Sequence, residues 1–428
     1  MMLRTLDLRD KSGDYLSQLP RPKAASEPPV DAVRAIVSEV RERGDAAVRE
    51  FTQRFDHVAL DAIEVSPSQI KAGYDRIEPE LRQALEVAAE AIRGYYQLEL
   101  HGDREFHHNQ VVVRQHTIAV DVAGCYVPGG KARYPSSVLM TVIPARVAGV
   151  GEIVLCVPPK SDGNLDDATL AAAHIAGVDH LYRIGGAQAI AAMAYGTQSV
   201  MRADVIVGPG NIYVSIAKRE VADVVGVPAS FAGPSEVVVI TDDSVPLEWA
   251  VIDVIVQAEH GPDGLAWLVT WDEELAAKAP GVCSELLLGS PRQEQTSATL
   301  DDGGYVVLVR DYEQAIEVSN AIAPEHLEIL SSNYEKMVPL VKNAGAIFVG
   351  PYSPASVGDY LAGPSHVLPT YGTARFASAL SVVDFQKRVH SIEVSKEAIA
   401  QLSPHLSAIA AAEGLWAHAR SAEMRSSQ

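Results

Sequence analysis

The chain has 428 residues, 47% of them hydrophobic, and a formal net charge of −20, so we expect two or more globular domains. The acidic balance argues against a nucleic-acid partner, and no apolar run is long enough to cross a membrane. Three scattered cysteines, Cys125, Cys156 and Cys283, form no disulfide framework, and the charged start "MMLRTLDLRD" is not a secretory signal; both favour the cytoplasm.

The first third of the chain predicts helices. Residues 31–55 show helical spacing of apolar positions, with Asp31 as the cap. Residues 66–97 predict a second long helix, because Ser66 and Gln69 form a capping box and Pro67 suits the first turn.

The middle of the chain alternates short β-rich runs with alanine-rich helical stretches. "EIVLCVPP", "HLYRIGG", "DVIVGPG" and "EVVVITD" are such runs, and the pattern continues between residues 265 and 350. Strand, glycine turn and helix in succession indicate parallel α/β sheets, and we expect two of them.

The tail, residues 381–428, predicts two amphipathic helices with a break near Ser403 and Pro404. A pair of helices this small cannot bury its apolar face alone, so it must dock on the body or on a second subunit. The predicted boundaries are an N-terminal arm (1–22), a first α/β domain (23–125 and 236–380), a second α/β domain on the nucleotide side (126–235) and the helical tail.

A set of polar side chains recurs beside apolar segments. Gln257 and His260 are three residues apart, which places them on one helical face. Further members are the pair Glu325 and His326, then Asp359 with His366 in a glycine-rich loop, and finally Glu413 and His418 on the last helix. Carboxamide, carboxylate and imidazole groups are ligands for a divalent metal, and such a set leaves an open position for a small molecule.

Several motifs, in order and well spaced, resemble the histidinol dehydrogenase family along nearly the whole chain. They are "GCYVPGG" (124–130), "GGAQAIAAMAYGT" (185–197), "VGPGNIYVSIAKREV" (207–221), "AGPSE" (232–236), "QAEHGPD" (257–263), "APEHLEI" (323–329), "GDYLAGPSHVLPTYGTARF" (358–376) and "EGLWAH" (413–418).

The resemblance implies oxidation of L-histidinol to L-histidine through an aldehyde, in the last steps of histidine biosynthesis, with two NAD⁺ and one Zn²⁺ per site. It also implies two Rossmann-like α/β domains with parallel sheets, a small helical C-terminal tail and an intertwined homodimer with a shared active site. By resemblance, Glu325 and His326 are catalytic, and Gln257, His260, Asp359 and His418 bind zinc. The implied substrate contacts are Ser235, Gln257, His260, His326, Asp359, Glu413 and His418, and the implied NAD contacts are Tyr126, Gln188 and Asn211.

Residue chemistry agrees with these roles but leaves alternatives. Glu325 can take a proton from the water that adds to the aldehyde, and His326 titrates near neutrality. The metal could orient the substrate or polarise its alcohol. The loops "IGGAQAI" and "VGPGNIY" could hold a pyrophosphate at a helix N-terminus, or be tight turns without a ligand.

Three other functions remain open on the residues alone. Ser365 stands where the family usually has Asn, which leaves room for oxidation of another amino or sulfonated alcohol; Glu413 favours a cationic amine. A zinc hydrolase would have a similar carboxylate and open metal site but no need for NAD⁺. A non-catalytic zinc scaffold would be indifferent to the loss of Glu325.

Overall fold

The computed structural model describes residues 2–20, 28–129, 134–229, 235–259, 261 and 264–426. Its strands follow in chain order: β1 (Arg4–Asp7), β2 (Glu64–Val65), β3 (Arg104–His108), β4 (Val111–Ala119), β5 (Val122–Tyr126), β6 (Glu152–Cys156), β7 (His180–Tyr182), β8 (Val205–Val207), β9 (Glu236–Thr241), β10 (Leu265–Thr270), β11 (Gly304–Leu308), β12 (His326–Leu330), β13 (Ala346–Val349) and β14 (Gln386–Val394).

The α-helices of the described residues alternate with these strands. They are α1 (Val30–Arg43), α2 (Asp45–Phe55), α3 (Pro67–Arg76), α4 (Pro79–Leu98), α5 (Pro135–Ala148), α6 (Asp167–Ala176), α7 (Gly186–Tyr195), α8 (Ile212–Glu220), α9 (Leu247–Ala258), α10 (Glu273–Leu287), α11 (Gln293–Gly303), α12 (Tyr312–Ile322), α13 (Tyr334–Met337), α14 (Ala355–Tyr360), α15 (Lys396–Ala412) and α16 (Trp416–Ser426). None of them, over the residues that the structure describes, combines the length and apolar character that a membrane crossing requires.

Two large sheets organise these elements, which confirms the predicted α/β class. The six-stranded sheet has the order β1-β11-β10-β9-β12-β13, and all its pairs are parallel. The five-stranded sheet has the order β2-β7-β6-β5-β8 and is parallel except at the edge strand β2. A third, antiparallel sheet, β14-β4-β3, was not expected from the sequence.

The assignment of chain segments to the two large sheets differs from the predicted domain boundaries. Strand β1, expected in a separate N-terminal arm, is the edge strand of the six-stranded sheet. Helices α1 to α4, expected to join residues 236–380, instead pack with the five-stranded sheet. Val33 shares a hydrophobic core with Ile190, and Ile92 shares one with Leu139. Helical periodicity shows that one face of a helix is apolar, but it does not show which surface covers that face.

Two predicted helices also have different bounds. The predicted helix 31–55 is two helices that meet at Gly44, and it begins at Val30 without a side-chain cap. The capping box of Ser66 and Gln69 is confirmed, but the helix after it ends at Arg76, and α4 begins anew at Pro79. A proline at a first helical position starts a helix readily because its missing N–H needs no partner there.

The tail was predicted incorrectly at two points. Residues 386–394 form a strand, β14, that pairs with β4. Helix α15 then continues through Pro404, and the break falls after Ala412 instead of near Ser403. A proline inside a helix costs about 3 kcal/mol, so the packing of α15 against α16, where Ser403 and Ala422 are buried, offsets that cost.

Candidate active site

The polar residues gather at the amino edge of the six-stranded sheet. Ser235 directly precedes β9 and Glu325 directly precedes β12, and these two strands are neighbours in the sheet. Helix α9 follows β9 and runs back to this edge, which places Gln257, in the last turn of α9, at the same edge. Strand β10 then begins here, with Leu265 paired to Glu236. Open parallel sheets usually bind ligands at the carboxyl edge of the sheet. This site lies at the opposite edge, so its side chains identify it and the general rule does not.

Glu325 and His326 form the centre of the site and are both buried. The Nδ1 atom of His326 lies 3.7 Å from Oε2 of Glu325, and its Nε2 lies 3.6 Å from Oδ1 of Asp359. The imidazole therefore lies between two carboxylates and stacks on the ring of Phe348, with centroids 5.9 Å apart. The N–H of Glu236 donates to Oε2 of Glu325 at 3.1 Å. This arrangement brings three predicted site residues together.

The pKa values of the pair shift in the directions that a proton-transfer site requires. Burial raises the pKa of Glu325, which His326 and the Glu236 N–H only partly oppose. Burial by itself would lower the pKa of His326, but the carboxylates of Glu325 and Asp359 outweigh it and raise that pKa. A carboxyl that holds protons more tightly and an imidazolium that is stabilised are groups suited to proton transfer.

The side chain of Gln257 is a buried polar group that lacks a protein partner. Its side chain is 4% exposed, and its Nε2 atom has no hydrogen-bond partner among the described residues. An unpaired buried amide costs free energy unless a ligand or a water satisfies it. His260, predicted to share its helical face, lies outside the described residues.

Asp359 lies in the short helix α14 and not in a glycine-rich loop, which corrects that part of the prediction. His366, in the loop that follows, contacts the Asp359 backbone: its Nδ1 is 2.9 Å from the Asp359 carbonyl oxygen. Its Nε2 is 3.0 Å from the hydroxyl of Ser137 in α5. His366 thus joins the five-stranded-sheet side to the element that carries Asp359.

Two predicted ligands on the tail are exposed in the single chain. Glu413 caps the end of α15 instead of lying on the last helix, His418 lies on α16, and both are exposed. Across the residues that the structure describes, no group of three or more His, Cys, Asp or Glu side chains could hold a metal ion. The described residues of the single chain therefore do not by themselves complete the predicted donor set.

The predicted nucleotide residues lie at the carboxyl edge of the five-stranded sheet. Tyr126 ends β5, its ring packs in the core, and its hydroxyl accepts a hydrogen bond from the Gly186 N–H at 3.1 Å. This geometry favours support of the turn before α7 over an exposed stacking face. Gln188 is buried in α7, and its Oε1 has no partner within the described part of the chain.

Asn211, exposed, caps α8 by accepting from the backbone N–H groups of Tyr213 and Val214 at 3.1 and 3.2 Å. Both glycine loops therefore run from a strand into a helix, as predicted. Contact with a nucleotide remains a prediction for all three residues.

Sequence reasoning missed several buried charges near these sites. Glu236 begins β9 and is 3% exposed, and burial followed by the charge of Glu325 raises its pKa to about 8. Glu328 on β12 and Asp253 on α9 face each other, and burial is the main cause that raises both pKa values.

Lys218 in α8 is buried, and it donates to the carbonyl of Gly208 and, at 3.4 Å, to that of Ala229. An acid or lysine inside an apolar run is the signal that could have identified them.

Comparison with known proteins identifies the family. The family model described as histidinol dehydrogenase matches residues 19–426. A histidinol dehydrogenase from Cupriavidus pinatubonensis is 45% identical over 99% of this chain and 97% of its own length, and one from Pseudomonas aeruginosa is 46% identical over the same shares. The crystal structure of histidinol dehydrogenase from Elizabethkingia anophelis matches with a TM-score of 0.93 at 33% identity, covering 99% of this chain and 98% of that one. The chain therefore belongs to the histidinol dehydrogenase family.

Proposed function

We propose that this protein oxidises L-histidinol to L-histidine with NAD⁺, the final steps of histidine biosynthesis. The observation that carries the proposal is the buried pair Glu325 and His326, in the setting of relatives at about 45% identity over nearly the whole chain that are named for this activity. Those names favour histidinol over another amino or sulfonated alcohol. The need for NAD⁺ distinguishes the proposal from a zinc hydrolase. Three free cysteine thiols, all buried, support the cytoplasm as its location.

The proposed reaction removes four electrons in two steps. The alcohol loses a hydride to one NAD⁺ and a proton to the enzyme, which gives an aldehyde. Water then adds to the aldehyde, and the hydrate loses a second hydride to a second NAD⁺. One water supplies the new oxygen, and two NADH and three protons leave with the carboxylate product.

The two central residues have separate proton-transfer roles in this proposal. His326 accepts the alcohol proton in the first step, and the adjacent carboxylates of Glu325 and Asp359 stabilise the imidazolium that forms. Glu325 accepts a proton from the water in the second step, because its raised pKa makes it a stronger base than a solvent-exposed glutamate.

A zinc ion is part of the proposal, with Gln257, His260, Asp359 and His418 as its ligands. The buried, unpartnered amide of Gln257 and the carboxylate of Asp359 beside His326 are consistent with such an ion. When bound, zinc would supply a Lewis acid that binds the amine and imidazole nitrogens of histidinol. Ser235 and Glu413 would complete the substrate contacts, and Tyr126, Gln188 and Asn211 would serve the nucleotide side.

We further propose that each active site combines the body of one chain with the tail of its partner in a homodimer. The tail helices expose large apolar side chains, including Trp416, which is 77% exposed. The body exposes a matching apolar surface on α9 and near α14, where Trp249 contacts Tyr352, which is 84% exposed. Exposed apolar patches of this kind mark interfaces.

The shared site has a decisive complementation test. A chain with Glu325→Gln and a chain with His418→Asn should each be inactive as homodimers. In a mixed dimer, the tail of the Glu325→Gln chain completes the body of the His418→Asn chain, so one of the two sites recovers and turnover reaches about half that of the wild type. Mixed dimers that stay inactive would show that each site is built within one chain.

The activity itself is tested by turnover of L-histidinol with NAD⁺ while NADH and L-histidine are counted separately. Two NADH per histidine are expected. Removal of bound metal, verified by mass spectrometry, should stop turnover, and zinc should restore it. One NADH per product, or full turnover by the verified metal-free protein, would count against the proposal.

A further inference from the structure

Glu236 is a buried acid that contacts the proposed base and has no part in the reaction as described above. Its backbone N–H donates to Oε2 of Glu325 at 3.1 Å. Its own side chain is 3% exposed, and its Oε2 atom has no hydrogen-bond partner among the described residues. Glu236 and Glu325 directly precede the paired residues Val237 and His326, so two buried acids start from adjacent positions on neighbouring strands.

The groups around Glu236 offer little to balance a second negative charge. Strand β12 brings Glu325 and His326, and His326 is already flanked by the carboxylates of Glu325 and Asp359. Strand β10 brings the apolar Leu265 opposite Glu236. Helix α9 also packs on β9, and its Asp253 and Gln257 carry no positive charge. A further neighbour is the turn at Tyr371 and Gly372, whose backbone N–H groups donate to the Glu236 carboxyl. No lysine or arginine ion pair involves Glu236 within the described ranges.

The turn that Glu236 holds is itself strained. Tyr371 has a φ of 61°, a value that a residue other than glycine rarely adopts without support from its surroundings. The same loop carries His366, which contacts the backbone of Asp359. Glu236 therefore connects the proposed base to the loop that supports Asp359.

We propose that Glu236 is a positioning residue that keeps its proton at neutral pH, so that Glu325 bears the single negative charge of this carboxyl pair. Like charges at close range cannot both ionise without a large cost in a dry site. With Glu236 neutral, Glu325 stays ionised, hydrogen-bonded to the Glu236 N–H and ready to accept a proton from water. Loss of the Glu236 proton leaves two buried carboxylates on adjacent positions of the paired strands, and their repulsion displaces Glu325 from that N–H.

This inference rests on the proposed function for its kinetic consequence. The wild-type kcat/KM should break downward near pH 8, where Glu236 ionises, with a tenfold loss per pH unit for a single ionisation. Glu236→Gln stays neutral at every pH and can still accept from the turn, so its profile should lack that break. Glu236→Asp keeps an acid and should keep a break. A merely structural role for the side chain would not separate these two variants.

An infrared titration tests the proton without any substrate. The wild type should show a protonated carboxyl band that disappears as the pH rises through about 8, and Glu236→Gln should lack this band at all pH values. Asp384→Asn is the matched control, because burial also raises the pKa of Asp384 outside this site. The control should keep both the band and the kinetic break.

Either of two results would overturn the inference: a band that titrates identically in wild type and Glu236→Gln, or a kinetic break near pH 8 that persists in Glu236→Gln. If histidinol is not turned over at all, the proposed function fails while the infrared result still decides the protonation of Glu236.

Discussion

Gly208→Ala is expected to damage the nucleotide side of the protein more than any side-chain truncation there. Gly208 follows β8 with a φ of +107°, and a Cβ at this position would lie 2.0 Å from the carbonyl oxygen of Tyr126. That oxygen belongs to the backbone of the central strand region, so no rotamer change can relieve the contact. The Gly208 carbonyl also accepts from Lys218, so a shift of the loop breaks a buried hydrogen bond.

The magnitude follows from two separable costs. A residue other than glycine at this φ costs about 1–3 kcal/mol. Forcing extra volume into a packed region costs a further ~1–3 kcal/mol. Gly163→Ala is the matched control: Gly163 has a φ of +79°, and its Cβ would meet only a side-chain methyl of Val58 at 3.4 Å, an ordinary contact. Gly163→Ala should therefore show the first cost alone.

Urea unfolding of the two variants beside the wild type measures both costs, with the midpoint as the readout and an unchanged slope as the control for the same transition. We expect Gly208→Ala to unfold at a clearly lower midpoint than Gly163→Ala. We also expect its KM for NAD⁺ to rise more than its KM for histidinol, because Asn211 follows in the same loop. Equal midpoints for the two variants would refute the argument from the close backbone approach.

Three further predictions concern single buried groups. Lys218→Met should destabilise the protein by about 1–3 kcal/mol, because the carbonyl of Gly208 loses its buried donor. Burial lowers the pKa of Lys218 from 10.5 to about 8, so between these pH values only the unfolded chain still binds this proton. The wild type should therefore gain stability as the pH rises from about 8 to 10.5, and Lys218→Met should not. Urea midpoints measured across this pH range check both statements. Glu325→Gln should lower kcat by roughly 10²–10⁴ with an unchanged circular dichroism spectrum, and a variant within twofold of wild type would remove Glu325 as the base. Gln257→Leu should reduce zinc content, measured by mass spectrometry. It should not lower the unfolding midpoint of the metal-free protein, since it replaces a buried amide that lacks a protein partner; full zinc occupancy would contradict its role as a ligand.

The sequence by itself determined what depends on neighbouring residues. The capping box of Ser66 and Gln69 is a contact across three residues, and the β-rich runs before glycine loops fixed the parallel α/β class, because both are set by local backbone preference. Motifs in order along the chain identified the family and the pair Glu325 and His326. None of this required knowledge of which surfaces meet.

The tertiary structure decided the contacts between distant segments. It placed His326 between Glu325 and Asp359, although Asp359 follows 33 positions later in a helix the sequence did not predict. It also assigned α1 to α4 to the five-stranded sheet and exposed His418 on the tail. Apolar periodicity and residue type indicate what a segment can bury or bind, but the packing of the whole chain determines which segment it contacts. The desolvation that raises the pKa values of Glu236 and Glu325 also arises only from that packing.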